Sequence, residues 1–206
     1  MSKMVVSGRD AGYLDAVSRL MKRIEAAVAD VDAAQLPLRV VIAGGAAAFL
    51  HTGVRTSRDI DASLSLRVHL PNDLEEAYVD RDGEPASVYL DANYNDALGP
   101  LHENAHDDAP SVPVAGIDRR RLDVRMLAPV DLAISKLGRF SEHDRDDIID
   151  MARAGLIDAD AFKERADEAL DYYVGHPATP RANLREAVTL IRANTPLPKK
   201  SSRRRT

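Results

Sequence analysis

The chain has 206 residues, 45% of them apolar and 30% charged, with a net charge of -5 and no cysteine. This is the composition of an ordinary globular protein with a sizeable core. It excludes disulfides, thiolate metal sites, cysteine nucleophiles, wholesale disorder and a surface that embraces nucleic acid by charge alone. No apolar run reaches the length of a membrane span, and no charged segment leads into an apolar stretch with a cleavage site, so no membrane partner and a cytoplasmic location are expected.

From Asp10, which suits an N-cap, Leu14, Val17, Met21, Ile24, Val28 and Val31 recur at spacings of three and four. They predict one amphipathic helix whose apolar stripe docks on the chain's own sheet. A proline-bounded strand is expected over residues 38–43, and an alanine-rich helix follows from Gly45 to about His51, with Gly53 as its stop. A second strand is expected over residues 59–66. On it Asp59 and Asp61 emerge on one face, continued by Ser63 and Ser65, while Ile60, Ala62, Leu64 and Leu66 cover the other. Two adjacent carboxylates each raise the other's pKa unless a cation lies between them. Oxygen ligands of this type suit Mg²⁺ or Mn²⁺ holding a nucleoside triphosphate. The Gly44-Gly45 pair stands where backbone approaches a ligand closely and where unpaired helix N–H groups attract phosphate.

Farther on, residues 87–91 read as a strand, 96–110 as a polar loop, and 112–117 and 121–127 as two strands joined by a charged turn. After Pro129 four helices are expected, over residues 131–140, 142–154, 158–174 and 181–193, punctuated by Gly155 and by Gly175-His176-Pro177. Lys136, Arg139 and His143 would then share one helical face. The chain therefore reads as α/β (α+β): a mixed-sheet module over residues 1–128, an all-helical part over 129–195, and a basic tail over 196–206 too charged to fold alone. The six histidines show no zinc-ligand spacing; His102 and His106, four apart, sit in loop-like sequence.

Gly-Gly, then a helix, then an Asp-apolar-Asp strand resembles the nucleotidyltransferase fold of the DNA polymerase beta superfamily. Gly44-Gly45-Ala46-Ala47-Ala48-Phe49-Leu50, Arg55-Thr56-Ser57-Arg58-Asp59-Ile60-Asp61, the segment Asp131 to Phe140 and Asp144-Arg145-Asp146-Asp147-Ile148 are similar to the AbiEii and MenT-type nucleotidyltransferase toxins and related uncharacterised bacterial proteins. The resemblance implies that Asp59 and Asp61 bind the metal ions and that a third carboxylate from a neighbouring strand, for which Asp123 is the candidate, completes the cage. The toxin branch typically has Lys-x-Asp there, where this chain has Arg121-Leu122-Asp123. The same third carboxylate could instead activate the acceptor. The resemblance also implies that Ser57 lines the phosphate site, that Gly44 and Gly45 offer amides to the β and γ phosphates, and that Arg55, Arg58, Lys136 or Arg139 neutralise charge on the leaving pyrophosphate. Asp144 and Asp147 would position Lys136 or Arg139.

The expected activity is transfer of a nucleoside monophosphate from NTP, with Mg²⁺ or Mn²⁺, to RNA such as tRNA or to protein, in a toxin with a cognate antitoxin. Two other readings stand beside it: a non-catalytic nucleotide-binding or protein-interaction module that retains the fold, and a small-molecule nucleotidyltransferase. For single residues the plainer readings are a solvated strand edge for the Asp pair, ion pairing of Asp123 with Arg121 or Arg125, and an ordinary polar helix face for Lys136 and Arg139.

Overall fold

A computed structural model describes residues 11–196; the expected N-cap at Asp10 and the basic run from Lys199 to Arg205 lie outside them. Helix α1 (Ala11–Ala27) carries the predicted stripe from Leu14 to Ile24, with Tyr13 added to it and Val28 and Val31 beyond its end, and packs on strands β4 (Glu75–Val79) and β5 (Pro85–Leu90). Strand β1 (Leu38–Ile42) leads directly into α2 (Gly44–Thr52), which Gly53 ends in the left-handed conformation with its N–H on the Phe49 carbonyl. Strands β2 (Asp59–Ile60), β3 (Ala62–Leu64) and β6 (Leu122–Met126), the short helix α3 (Ala105–Asp108), and helices α4 (Pro129–Ser135), α5 (Glu142–Arg153), α6 (Ala159–Asp171) and α7 (Ala178–Asn194) complete the chain.

The strands form two small mixed sheets. In one the order is β3-β1-β6, with β1 antiparallel to β3 and parallel to β6; in the other it is β2-β5-β4, with β5 parallel to β2 and antiparallel to β4. The strand expected over residues 59–66 is thus two strands in different sheets, and Asp61 is the residue at the crossing. Its carbonyl accepts the Ala43 N–H at 2.8 Å on the side of the first sheet, while the Ile60 carbonyl accepts the Asp91 N–H at 3.0 Å on the side of the second.

Three further expectations are corrected. Residues 112–117 do not form a strand: the segment touches β6 through a bridge between Ser111 and Arg125 and the Val112 N–H, and Pro113, which has no N–H to donate, ends the ladder. Helix α4 stops at Ser135 and not near Phe140, because Lys136 turns inward as its C-cap and Phe140 takes a positive φ of 52°. Lys136, Arg139 and His143 therefore do not share one helical face, and His143 is exposed on α5. Strand β4 gave no alternating signal because its inward positions are Glu76 and Tyr78; Glu76 is bonded at 2.9 Å to Arg19 of α1.

The C-terminal helices pack on one another and against α2, through α4 and α5. Asp131, fully buried in the first turn of α4, is gripped by Arg165 of α6 at 2.6 and 2.9 Å. Bidentate geometry of this kind fixes orientation as well as charge. Among the described residues no helix is long and apolar enough to cross a membrane.

Leu20 sits fully buried between α1 and the second sheet. Leu20→Ala should lower the unfolding free energy by about 2–5 kcal/mol, through lost transfer energy and the cavity left behind, measured by urea denaturation.

Candidate active site

The turn from β1 into α2 brings backbone against the acid pair. Gly44 has a φ of +58°, and a Cβ there would fall 1.8 Å from Asp61 Oδ2; one on Gly45 would fall 2.8 Å from Ser57 Oγ. Both glycines are required, the first twice over, since a side chain would be strained by the backbone and would collide with the carboxylate. No side chain caps the first turn of α2, and Gly44 at its start lines the neighbouring cleft, so that end of the helix attracts anions.

Ser57, buried just before β2, donates its hydroxyl to Asp59 Oδ1 at 2.5 Å. Asp61 is half-buried and its pKa is pushed up to about 6, first by desolvation and then by the charges of Asp59 and Asp91, while Lys136 and Arg139 pull the other way. Asp91 is there because β2 and β5 run parallel with Ile60 opposite Leu90, which puts the next residue of each strand side by side. Its Oδ1 accepts the Asn93 N–H at 2.8 Å.

Opposite the acids, the turn after α4 and the start of α5 supply the cations. Lys136, buried, bonds Asp147 Oδ2 at 2.7 Å and lies 3.7 Å from Asp144 Oδ1. Arg55 reaches Asp147 from the α2–β2 loop at 3.1 Å. Arg139 grips Asp144 through two bonds of 2.8 Å while leaving 77% of its side chain exposed. Burial alone would raise the pKa of Asp144. The bonds from Arg139 and from the Ser141 hydroxyl and N–H outweigh it and hold the carboxyl far below the usual range. The same Ser141–Asp144 exchange is the capping box of α5. Asp144 and Asp147 thus anchor Arg139 and Lys136 at a cleft of about 350 Å³, which Gly44, Asp61, Tyr94, Lys136 and Arg139 help to line, and Asp147 also holds Arg55.

The structure accordingly brings Gly44, Gly45, Ser57, Asp59 and Asp61 together from one side, with Arg55 beside Gly45, and Lys136 and Arg139 from the other. Arg58 is exposed beside Asp59. Asp123 is not brought to the pair. It lies on β6, two strands away from β3, where Arg125 bonds it at 2.7 Å and Ser111 at 3.3 Å, with Arg119 at 3.7 Å. Its charge is met there by arginine. His102 and His106 part company as well: His102 bonds Glu168 at 3.0 Å and His106 bonds Asp96 at 2.9 Å.

Among the described residues no three acidic or histidine side chains converge to hold a metal ion. The donor set still fits Mg²⁺, which usually takes one or two carboxylates and completes its oxygen shell with water and substrate phosphates. Asp59 and Asp61 are two such carboxylates, with surplus negative charge at Asp61. The sequence reading overlooked Asp91, Tyr94 and Asp96. Asp91 ended a strand that was foreseen, but its pairing with β2 requires a parallel partner 30 residues along the chain, which one sequence does not display.

These elements define a nucleotidyltransferase-type fold, with a glycine turn, an Asp-x-Asp crossing and facing cations. The chain belongs to the family described as nucleotidyltransferase of unknown function (DUF6036), whose model matches residues 18–188. The match carries the nucleotidyltransferase assignment and stops short of the toxin branch. No curated protein and no solved structure matches the chain.

The raised pKa of Asp61 has a thermodynamic sign. A carboxyl whose folded pKa exceeds its unfolded value contributes stability that is complete below about pH 4 and is lost as the pH rises through about 6. Asp61→Asn should therefore be more stable than the native protein at pH 7.5, by about 1–2 kcal/mol after allowance for solvent screening, and this advantage should shrink toward pH 4. Urea unfolding at the two pH values checks it.

Proposed function

We propose that the cleft between Asp61 and Arg139 binds a nucleoside triphosphate with Mg²⁺ and transfers its nucleoside monophosphate to an acceptor hydroxyl. The observation that carries this reading is the closeness of Gly44 to Asp61: bare backbone and a carboxylate occupy one point, with lysine and arginine across about 350 Å³ of open space. Membership of a nucleotidyltransferase family supports NTP as the substrate.

In this reading Asp59 and Asp61 hold the divalent ion, which when bound supplies Lewis-acid charge at the phosphate oxygens. The amide groups at the start of α2 and the Ser57 hydroxyl receive phosphate oxygens. Lys136 and Arg139, held in place by Asp147 and Asp144, face the pyrophosphate as charge develops on it. The acceptor oxygen forms a bond to the α-phosphorus as the bond from that phosphorus to the β-phosphate oxygen breaks. Pyrophosphate leaves, and the hydroxyl proton passes to the Asp91 carboxylate, whose Oδ2 has no part in the Asn93 bond. Asp91 takes the role first given to Asp123.

RNA, tRNA in particular, is the acceptor that the resemblance to the AbiEii and MenT-type toxins supports, and a cognate antitoxin is the partner it supports. Both belong to the proposal and rest on the Gly44-Gly45, Asp59–Asp61 and Lys136–Arg139 segments alone.

Purified protein incubated with Mg²⁺, each α-labelled NTP and bulk tRNA should label the RNA. Asp61→Asn should reduce the rate at least about 100-fold and Arg139→Met about 10- to 100-fold, as expected for removing a charge that meets transition-state charge. Absence of label from RNA, protein and small-molecule acceptors alike, with intact nucleotide recovered, would contradict the proposal.

A further inference from the structure

The nucleotide cleft does not end at Asp61. The segment Tyr94-Asn95-Asp96 lines it on one side and on its other side lines a second, larger cleft of about 950 Å³. The wall between them is hydrogen-bonded: Ser63 donates to Asp96 Oδ2 at 2.5 Å and His106 Nε2 lies 2.9 Å from the same oxygen. Asp91, beside Asp61, faces the larger cleft. Two openings therefore meet at the acids, one with Lys136 and Arg139 and one without them.

The larger cleft is divided by charge. At the seam are Asp91 and Asp96. Along β3 and beyond it, the chain runs from Ser63 to Ser65 and Arg67, and Arg39 of β1 stands at the level of Ser65, whose N–H bonds the Arg39 carbonyl at 3.0 Å. Ser65 lies four positions beyond Asp61, about 13 Å of extended strand. Arg39 is shared with the exposed Asp107 at 2.8 Å, whereas Arg67 makes no ion pair among the described residues. His106 stands between the two zones, its Nε2 on Asp96 and its flank toward Arg39 and Asp107. Burial opposes the charged ring, but the bond to Asp96 prevails, so the imidazole keeps its proton to a higher pH than usual.

We infer that this second cleft seats the acceptor, and that the acceptor is a ribonucleotide in chemical class, with a ribose hydroxyl at the Ser63–Asp96 seam and a phosphate toward Arg67, Arg39 and His106. The inference rests on the nucleotidyl-transfer reading of the neighbouring cleft. Polar groups that exchange hydrogen bonds with a sugar stand beside Asp91, which takes the proton, and cations stand a nucleotide's reach away. The volume lies within the range of about 300–1,000 Å³ that bound organic ligands occupy. A free nucleotide and the 3′ end of an RNA strand share this chemistry. Ser63 and Asp96 are positioning residues here: they fix the hydroxyl's direction from the wall that the two clefts share.

Calorimetry separates the claims. Protein saturated with Mg²⁺ and an α,β-methylene NTP analogue is titrated with AMP, with adenosine, and with a short oligoribonucleotide ending in adenosine. AMP should bind at least tenfold more tightly than adenosine, and Arg67→Glu and His106→Gln should each weaken AMP at least tenfold while changing analogue affinity less than twofold. A tighter oligonucleotide identifies the RNA end as the source, and equal affinities identify the free nucleotide; either result supports the cleft. Failure of AMP to bind, equal affinity for adenosine, or indifference to both substitutions would overturn it. The same AMP titration is run without analogue. If the analogue fails to bind while AMP binding stays sensitive to Arg67→Glu, the transfer reading falls and the ribonucleotide cleft remains.

Discussion

The contact between the Gly44 backbone and the Asp61 carboxylate governs how everything else is arranged. Because Gly44 has no side chain and adopts φ +58°, β1 can turn into α2 directly over the point where the chain crosses from one sheet to the other. The crossing residue is then both a backbone bridge, through the Ala43 N–H, and a side chain facing open space. A helix end, two sheet edges and a carboxylate meet there without an intervening layer. An ordinary fold would bury such a junction with apolar side chains. Here it is left to a carboxylate whose ionisation the surroundings resist.

The acids at the junction are balanced from the helical half of the molecule. Lys136 and Arg139 sit in the turn where α4 stops, and the carboxylates holding them belong to α5. Asp144 serves helix and site at once, as the capping-box partner of Ser141 and the anchor of Arg139. Removing it would therefore disturb the fold and the cation together. A buried, multiply bonded network of this kind is valued less for net stability than for holding one geometry.

Much of this was legible in the sequence, and the failures share a physical form. Periods of 3.6 and 2 exposed α1, β1, α2, β6 and the C-terminal helices, because each buries one face against a neighbour. The Gly-Gly and Asp-x-Asp spacings pointed to residues that the structure places together on one side of the candidate site. The differences fell where a residue's placement depends on a distant partner. Asp123 alternates correctly on its strand, yet which strand adjoins Asp61 is a matter of sheet order, and two sheets form where one was expected. Asp91 looked like the end of a strand until the parallel pairing of β2 with β5 set it beside Asp61. Strand β4 was hidden because its inward Glu76 meets arginines from α1 instead of an apolar surface.

The central claim is that Asp61, pressed against a bare glycine turn, is one half of a two-carboxylate grip that captures a divalent ion only together with a triphosphate. Electron paramagnetic resonance of Mn²⁺ tests it most directly, by counting free ion as protein is added with and without a nonhydrolysable NTP. The account predicts that Mn²⁺ is sequestered when nucleotide is present, far more weakly when it is absent, and not at all by Asp61→Asn. Equal binding without nucleotide, or undiminished binding by Asp61→Asn, would contradict it.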